Sequence, residues 1–451
     1  MKKIAAIILS ILMLTGCAVA DKNDIMNLLS SPQLSKRESR IVASLNEYLQ
    51  SKILLKYPKR GNSISPVQIV DLNGDGKKQA VVLYSDPNTG GNLRLAVLGQ
   101  TDDGWQVISD REGYGTELYK IDFANITGDG RKRIVVGYTF SDGSNKFLSV
   151  YLGGSEDIDN SVTYSCRDFT VGDITGDGIS DIVYAGASGD NRHTTITLLT
   201  CENGELVQKA RAEIPFKNRN VTSIALTKNE YSENNGLVVD CSTPDHVVHT
   251  VYYYYGLSAT RQPEETRDNT TEEENRENYP AAEETESAEK ENQTEEMCLV
   301  AMPNRDIAKY WNEDYNLISI DLDMDKFYET AGIIKTSEDG YAALMDWTSY
   351  RCKTPVRKYL GICRVKEGIF FPVPVEWENR IEIYGTEAGG NVIDAKTGET
   401  LLDFAVVTVR DEIGDNIMYS TVGTLQVKFV FSEQVSDTQR SFITENLTYL
   451  K

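Results

Sequence analysis

Several short stretches of this chain carry side-chain oxygens at a spacing that suits one hard cation. The best formed runs Asp173-Ile174-Thr175-Gly176-Asp177-Gly178-Ile179-Ser180-Asp181, with Asp173, Thr175, Asp177 and Asp181 at positions 1, 3, 5 and 9. A tightly turning loop with that alternation directs its oxygens at a common centre. Gly178 at position 6 supplies the sharp turn, since a residue without Cβ takes φ > 0 cheaply. Three carboxylates gathered there repel one another unless a counter-ion joins them. A plain hairpin turn is the competing reading, because Asp-Gly is also a common two-residue turn. Turn chemistry alone does not ask for Asp181, which favours calcium.

The relatives of this loop depart from it in different ways. Asp71, Asn73, Asp75 and Gly76 repeat the pattern, but Gln79 stands at position 9, so the loop has one charge fewer and metal and plain turn remain open. Asn125, Thr127 and Asp129 form a copy with a single carboxylate, and Arg133 stands where the ninth ligand would be; this reads as a metal-free turn with the arginine in place of the ion. Asp321, Asp323, Asp325 and Glu329 restore acids at 1, 3, 5 and 9 without the glycine, which predicts a cation site on a looser loop. The first three loops start at 71, 125 and 173 and lead into apolar runs such as Ala80-Val81-Val82-Leu83-Tyr84 and Ile182-Val183-Tyr184. Self-similarity at a period of about 50 residues points to a solenoid or a β-propeller.

The pattern Asp-x-Asx/Thr-Gly-Asp-Gly-x-x-Asp followed by a short apolar strand resembles the FG-GAP or VCBS type of repeat, found in integrin alpha-subunit propellers and many bacterial surface proteins. The resemblance is good over Val67 to Ala187 and faint from Thr222 to Asp240 and near Asp321. It implies a β-propeller with Ca²⁺ in loops between blade strands. It says little of function, because such repeats serve adhesins, enzymes and scaffolds.

The chain opens with Lys2 and Lys3, an apolar run from Ile4 to Thr15, and Leu14-Thr15-Gly16-Cys17, the signature of an export signal too short to span a bilayer permanently. The terminal cysteine makes it resemble a bacterial lipobox, which implies lipidation at Cys17 and a protein anchored to the outer face of the cell membrane. An ordinary secretory signal is the alternative. Residues 18–60 read as a tether and an amphipathic helix over Leu34 to Lys56, with Ile41, Leu45, Tyr48, Leu49 and Ile53 on one face and Ser35 as N-cap. Short strands between Gly, Asp and Asn then fill 61–262, and strand texture resumes over 298–451, ending in a helix near Ser436 to Leu447. Together these predict an all-β propeller of six or seven blades.

Between the two halves, residues 263–297 form an acidic insert. From Pro263 to Glu296 it carries 14 acids against 3 bases, a net −11 out of the chain's −22. It has almost no aliphatic residues, so it cannot offset the entropy of ordering and is expected to be disordered. The acidity elsewhere is mild, and the absence of a basic stripe argues against a nucleic-acid partner. Six cysteines follow Cys17 without a CxxC pair, which leaves disulfides and buried thiols both open.

Catalytic signatures are sparse. The three histidines, His193, His246 and His249, sit in no metal-binding motif, and there is no Gly-x-Ser-x-Gly elbow or phosphate loop. The expectation is a calcium-stabilised surface module that binds a protein or glycan. The alternative is an extracellular hydrolase acting on envelope polysaccharide or peptide, with a carboxylate pair at the propeller mouth.

Overall fold

The computed structural model describes residues 34–450 apart from 62–64, 142, 144–145, 156, 188–193, 215–219, 229–233, 243–247, 258–296, 302–304, 308–318, 352–353, 365, 409–413 and 424. The signal segment with Cys17, the tether as far as Met26 and the acidic insert Pro263 to Glu296 therefore lie outside the described residues.

Among the described residues six antiparallel sheets follow one another along the chain, built mainly of strands that pair with their neighbours in sequence. The last sheet is an exception, in which Thr400–Val407 pairs with Leu425–Phe431 and Ile417–Val422 lies outside them. Sheet one has Val67–Val70, Gln79–Ser85, Leu93–Thr101 and Gly104–Glu112, and Leu54–Leu55 extends its inner edge. Sheet two runs from Glu117–Ala124 to Ser161–Cys166, and sheet three from Asp168–Gly172 to Glu205–Glu213. Sheet four begins at Asn220–Lys228, and sheet five comprises Glu329–Thr336, Ala342–Arg351, Thr354–Arg364 and Ile369–Pro372. Sheet six begins at Ile381–Gly385. The molecule is a β-propeller, and Asp71 and Asp173 lie beside different sheets, as blade repeats require.

Central strands read as unbroken apolar runs because both of their faces are covered. In sheet one, Val81, Leu83, Leu95 and Val97 pack against Leu118, Ile134 and Val136 of sheet two. The intervening Ala80, Val82, Tyr84, Ala96 and Leu98 pack against Ile41 and Leu45 of the helix Lys36–Leu49 (α1). This helix thus covers the face that another blade would cover. The same alternation joins sheet two to three, three to four, and five to six. Sheet six turns Glu382, Tyr384 and Asp403 to solvent on its far side.

Helix α1 is shorter than the periodicity over 34–56 predicts. Ser35 and Glu38 form a reciprocal capping box at its start, and Gln50, at φ 51°, takes the left-handed conformation that ends it. Ile53 still enters the same apolar cluster, but from extended chain, because the next residues pair with Ser85 and Tyr84. At the other terminus, the helix Asp437–Glu445 (α2) is capped by Ser436. The strand after it, Thr448–Tyr449, pairs with Phe370 and Ile369 at the outer edge of sheet five.

Apolar faces slide, so polar joints are needed to fix one sheet against the next. Asp168, 3 % exposed, is one of them. It accepts from Tyr119 Oη at 3.1 Å and from the Ile224 amide at 2.9 Å, and pairs with Lys120 Nζ at 3.0 Å, so one carboxylate ties sheets two, three and four. The Lys120 ammonium also donates to the Phe169 carbonyl and lies 4.2 Å from the centre of the Phe169 ring. Asp240 of sheet four accepts from the Ser319 amide and hydroxyl, and Tyr252 meets Thr330 of sheet five at 2.7 Å. Arg364 of sheet five, 1 % exposed, donates to the carbonyls of Thr386, Glu387 and Gly389 in sheet six.

Removing one partner of a buried ion pair strands the other charge, at a cost of about 3–5 kcal/mol. Asp168→Ala is therefore expected to lower the urea-unfolding free energy by about that much, whereas Lys209→Ala, whose pairing with Glu202 is exposed, should change little. Equal midpoints for the two variants would show that Asp168 joins nothing.

Candidate metal centre and buried charge cluster

The first three acidic loops each join the first two strands of their sheet, the Asp321 loop is closed by the Ile320–Glu329 bridge ahead of the first strand of sheet five, and all four share one backbone. Positions 4 and 6 take positive φ in every copy: Gly74 and Gly76, Gly128 and Gly130, Gly176 and Gly178, and then Met324 at 60° and Lys326 at 72°. The loop at Asp321 is therefore not looser than the others. It holds the same turn without glycine, against a cost of about 1–2 kcal/mol for each L residue placed there.

Side chains close the loop in a repeated way. The carboxylate at position 1 accepts backbone N–H groups across the turn: Asp71 from Gly74 and Gly76, Asp173 from Gly176 and Gly178, Asp321 from Lys326. The acid at position 5 accepts from the amide two residues on, in Asp75, Asp129, Asp177 and Asp325 alike. Position 9 accepts the amide hydrogen of position 2. Gln79 takes it from Leu72 at 2.8 Å, Asp181 from Ile174 at 2.8 Å and Glu329 from Leu322 at 2.9 Å.

That latch corrects the reading of the ninth residue. Turn closure does ask for an acceptor there, and a carboxamide serves as well as a carboxylate, so Gln79 costs its loop no closure. Asp181 also accepts from the Thr175 amide and hydroxyl, which places Thr175 beside it. Asn73 instead accepts from Ser155, between sheets one and two. Arg133 cannot accept. Its Nη2 lies 2.6 Å from Asp129 Oδ2 and neutralises the one acid of its loop.

The loops also touch in sequence round the molecule. Lys132 N donates to Leu72 O, Ser180 N to Asn125 O, Asn235 Nδ2 to Asp173 O, and Lys228 N to Lys326 O. Each acidic loop is therefore clamped by a neighbouring sheet as well as by itself.

Among the described residues, Asp321, Asp323 and Asp325 form a group whose ligand atoms lie within 4.8 Å of one another. Glu329 is fully buried, and its Oε1 and Asp321 Oδ1 are buried without a hydrogen-bond partner. Burial pushes the Glu329 carboxyl up to about 7, and the charges of Asp323 and Asp325 push the same way. Lys358, from the third strand of sheet five, sits at 2.9 Å from Asp323 and 2.5 Å from Asp325. Hard oxygens, two of them orphaned, fit a divalent cation, which would have to displace the Lys358 ammonium that now neutralises Asp323 and Asp325 as Arg133 does Asp129. Asp173, Asp177 and Asp181, where the sequence favoured calcium, form no such group among the described residues, because the Asp173 and Asp181 oxygens are turned to loop N–H groups. Burial, with Asp177 pushing the same way, raises Asp181 to about 6. The four loops stand beside separate sheets and cannot share an ion.

A second cluster gathers around Asp168: Tyr119, Lys120, Asp122 and Lys146. Burial raises the Asp122 carboxyl and lowers the Lys146 ammonium, which lies 4.2 Å from the Tyr119 ring centre. Cys166 beside them and Cys363 in sheet five are free thiols, each pushed up to about 12 by burial, so they stay protonated at neutral pH. Neither Lys358 nor the Lys120–Asp168 pair has a local signal in the sequence, since each partner comes from a distant strand.

No protein family matches the chain, and no curated relative matches it. Solved structures are similar to the chain only at very low identity and low TM-score. Rhamnogalacturonan lyase YesW is 10% identical with a TM-score of 0.28, over 45% of this chain and 50% of that one, so the chain spans about half of YesW. The exotype rhamnogalacturonan lyase YesX is 10% identical with a TM-score of 0.29, over 84% of this chain and 76% of that one. The Dos1 propeller is 9% identical with a TM-score of 0.29, over 84% and 81%. At these scores no activity or ligand carries across to this chain.

Proposed function

We propose that this chain is a lipid-anchored surface module of the FG-GAP/VCBS type, stabilised by Ca²⁺ in its acidic loops, that presents its propeller to a protein or glycan partner outside the cell. Anchorage through Cys17 rests on the Leu14-Thr15-Gly16-Cys17 motif. Binding is favoured over hydrolysis by the state of the buried acids. Asp168 and Asp240 each accept several internal hydrogen bonds, so these carboxylates are spent on joining sheets and are not presented to a substrate. A pull-down from intact cells, with the anchored protein as bait, is expected to recover a discrete envelope protein or polysaccharide. Turnover of an envelope polymer by the purified chain, lost in an Asp122→Asn variant, would replace this reading with the hydrolase.

The metal is tested by melting. An ion that binds only the folded state adds about 2.7 kcal/mol at a hundredfold excess over its Kd. Chelator should therefore lower the Tm of the parent in millimolar calcium. Asp177→Asn and Glu329→Gln should each shrink that chelator shift, while Asp129→Asn, which breaks the Arg133 pair, should lower the baseline Tm and leave the shift intact. A parent Tm indifferent to chelator would reduce these loops to turns.

A further inference from the structure

A cavity of about 310 Å³ opens beside the Asp321 loop, between sheet five and the end of α2. That is the low end of the range for small-molecule sites. One wall is apolar, made by Leu322, Phe370, Pro372 and Leu447. The rest of the lining is rich in acceptors. Asp323 and Glu445 both line the cavity, and α2 ends here with no basic residue in its last turn, so no cation meets the negative end of its dipole.

Most side-chain donors around this cavity are already engaged. Tyr359 Oη points to Asp323 Oδ2 at 3.5 Å, Asn446 Nδ2 donates to Phe442 O at 2.9 Å, and Thr448 Oγ1 to Asn446 O at 3.3 Å. Lys358 Nζ is held by Asp323 and Asp325. Glu445 has no ion-pair partner among the described residues. Asp323 Oδ2 is itself taken by Lys358 and Tyr359, so the acceptor left to offer is the Glu445 carboxylate, and a ligand that meets it brings donors. An apolar wall and an aromatic ring beside them add the requirement of an aliphatic stem. Anionic ligands are excluded by the like charge of Glu445 and Asp323.

We infer that this cavity binds a primary alkylammonium group on an aliphatic stem, with Glu445 as its counter-ion, Tyr359 against the charged end and the Phe370 wall along the stem. The loop next to it already holds such a group, the Lys358 ammonium. Two sources share this chemistry, a free diamine and the lysine side chain of a partner protein. The inference rests on the binding-module reading and gives it a ligand class.

Isothermal titration of the full chain in calcium distinguishes the sources. The probes are 1,5-diaminopentane, the tripeptide Ala-Lys-Ala with blocked ends, and the same tripeptide acetylated on the lysine nitrogen. The expected result is binding of the amines, loss of binding on acetylation, and a loss of at least about tenfold in Glu445→Gln, an exposed position whose change leaves the Tm unmoved. Tighter binding of the tripeptide than of the diamine points to a protein partner, and the reverse to a free amine. Binding that is unchanged in Glu445→Gln belongs to the acidic surface at large and overturns the site, as does equal binding of the acetylated peptide. Failure here leaves the chelator shift and the pull-down untouched, so it is separable from failure of the surface-module reading.

Discussion

The buried carboxylate of Asp168 is the constraint on which the inner part of the molecule depends. Apolar faces bring sheets two, three and four together, but burial of hydrocarbon is not directional and would accept many registers. A carboxylate that must satisfy Lys120, Tyr119 and the Ile224 amide accepts one. Buried charge is costly unless fully paired, so the same group that specifies the arrangement would penalise any slip from it. Asp240 with Ser319, and Arg364 with three carbonyls of sheet six, continue this logic along the chain.

The acidic loops perform the corresponding task with backbone groups. A loop that turns twice through positive φ leaves several N–H groups pointing inward, and these must find acceptors. Positions 1, 5 and 9 provide them. The repeated acids are therefore explained by the turn, and a cation would add to that explanation only where acceptors remain unused. Glu329 Oε1 and Asp321 Oδ1 are such atoms, which is why the Asp321 loop is the stronger metal candidate although its sequence lacks the glycines.

Local pattern was legible in the sequence and long-range pairing was not. Acid spacing, glycine positions and the capping box at Ser35 involve residues within nine positions of one another, so a single strand of text displays them. The strands were legible because doubly covered segments such as Ala80 to Tyr84 must be apolar throughout. The end of α1 was misplaced because amphipathic spacing continues to Ile53, while the actual break is a left-handed Gln50, a residue with no special turn preference. Lys120 and Asp168 are 48 residues apart and Lys358 lies 35 beyond Asp323, separations at which only the folded chain shows the pairing.

The Asp321 loop also shows what a sequence motif is and is not. Glycine at positions 4 and 6 is the inexpensive way to reach left-handed φ, but it is not the only way, provided the surroundings impose the conformation. Here they do. Lys326 O accepts from Lys228 N, Tyr328 N donates to Thr227 Oγ1, and Glu329 latches Leu322 from within the core. A loop clamped from both sides tolerates Met324 and Lys326 in strained positions, and the strain is carried by contacts with sheet four. Loss of those contacts would release Met324 and Lys326 first, which makes the geometry of this loop dependent on its neighbour in a way that the glycine-bearing loops are not.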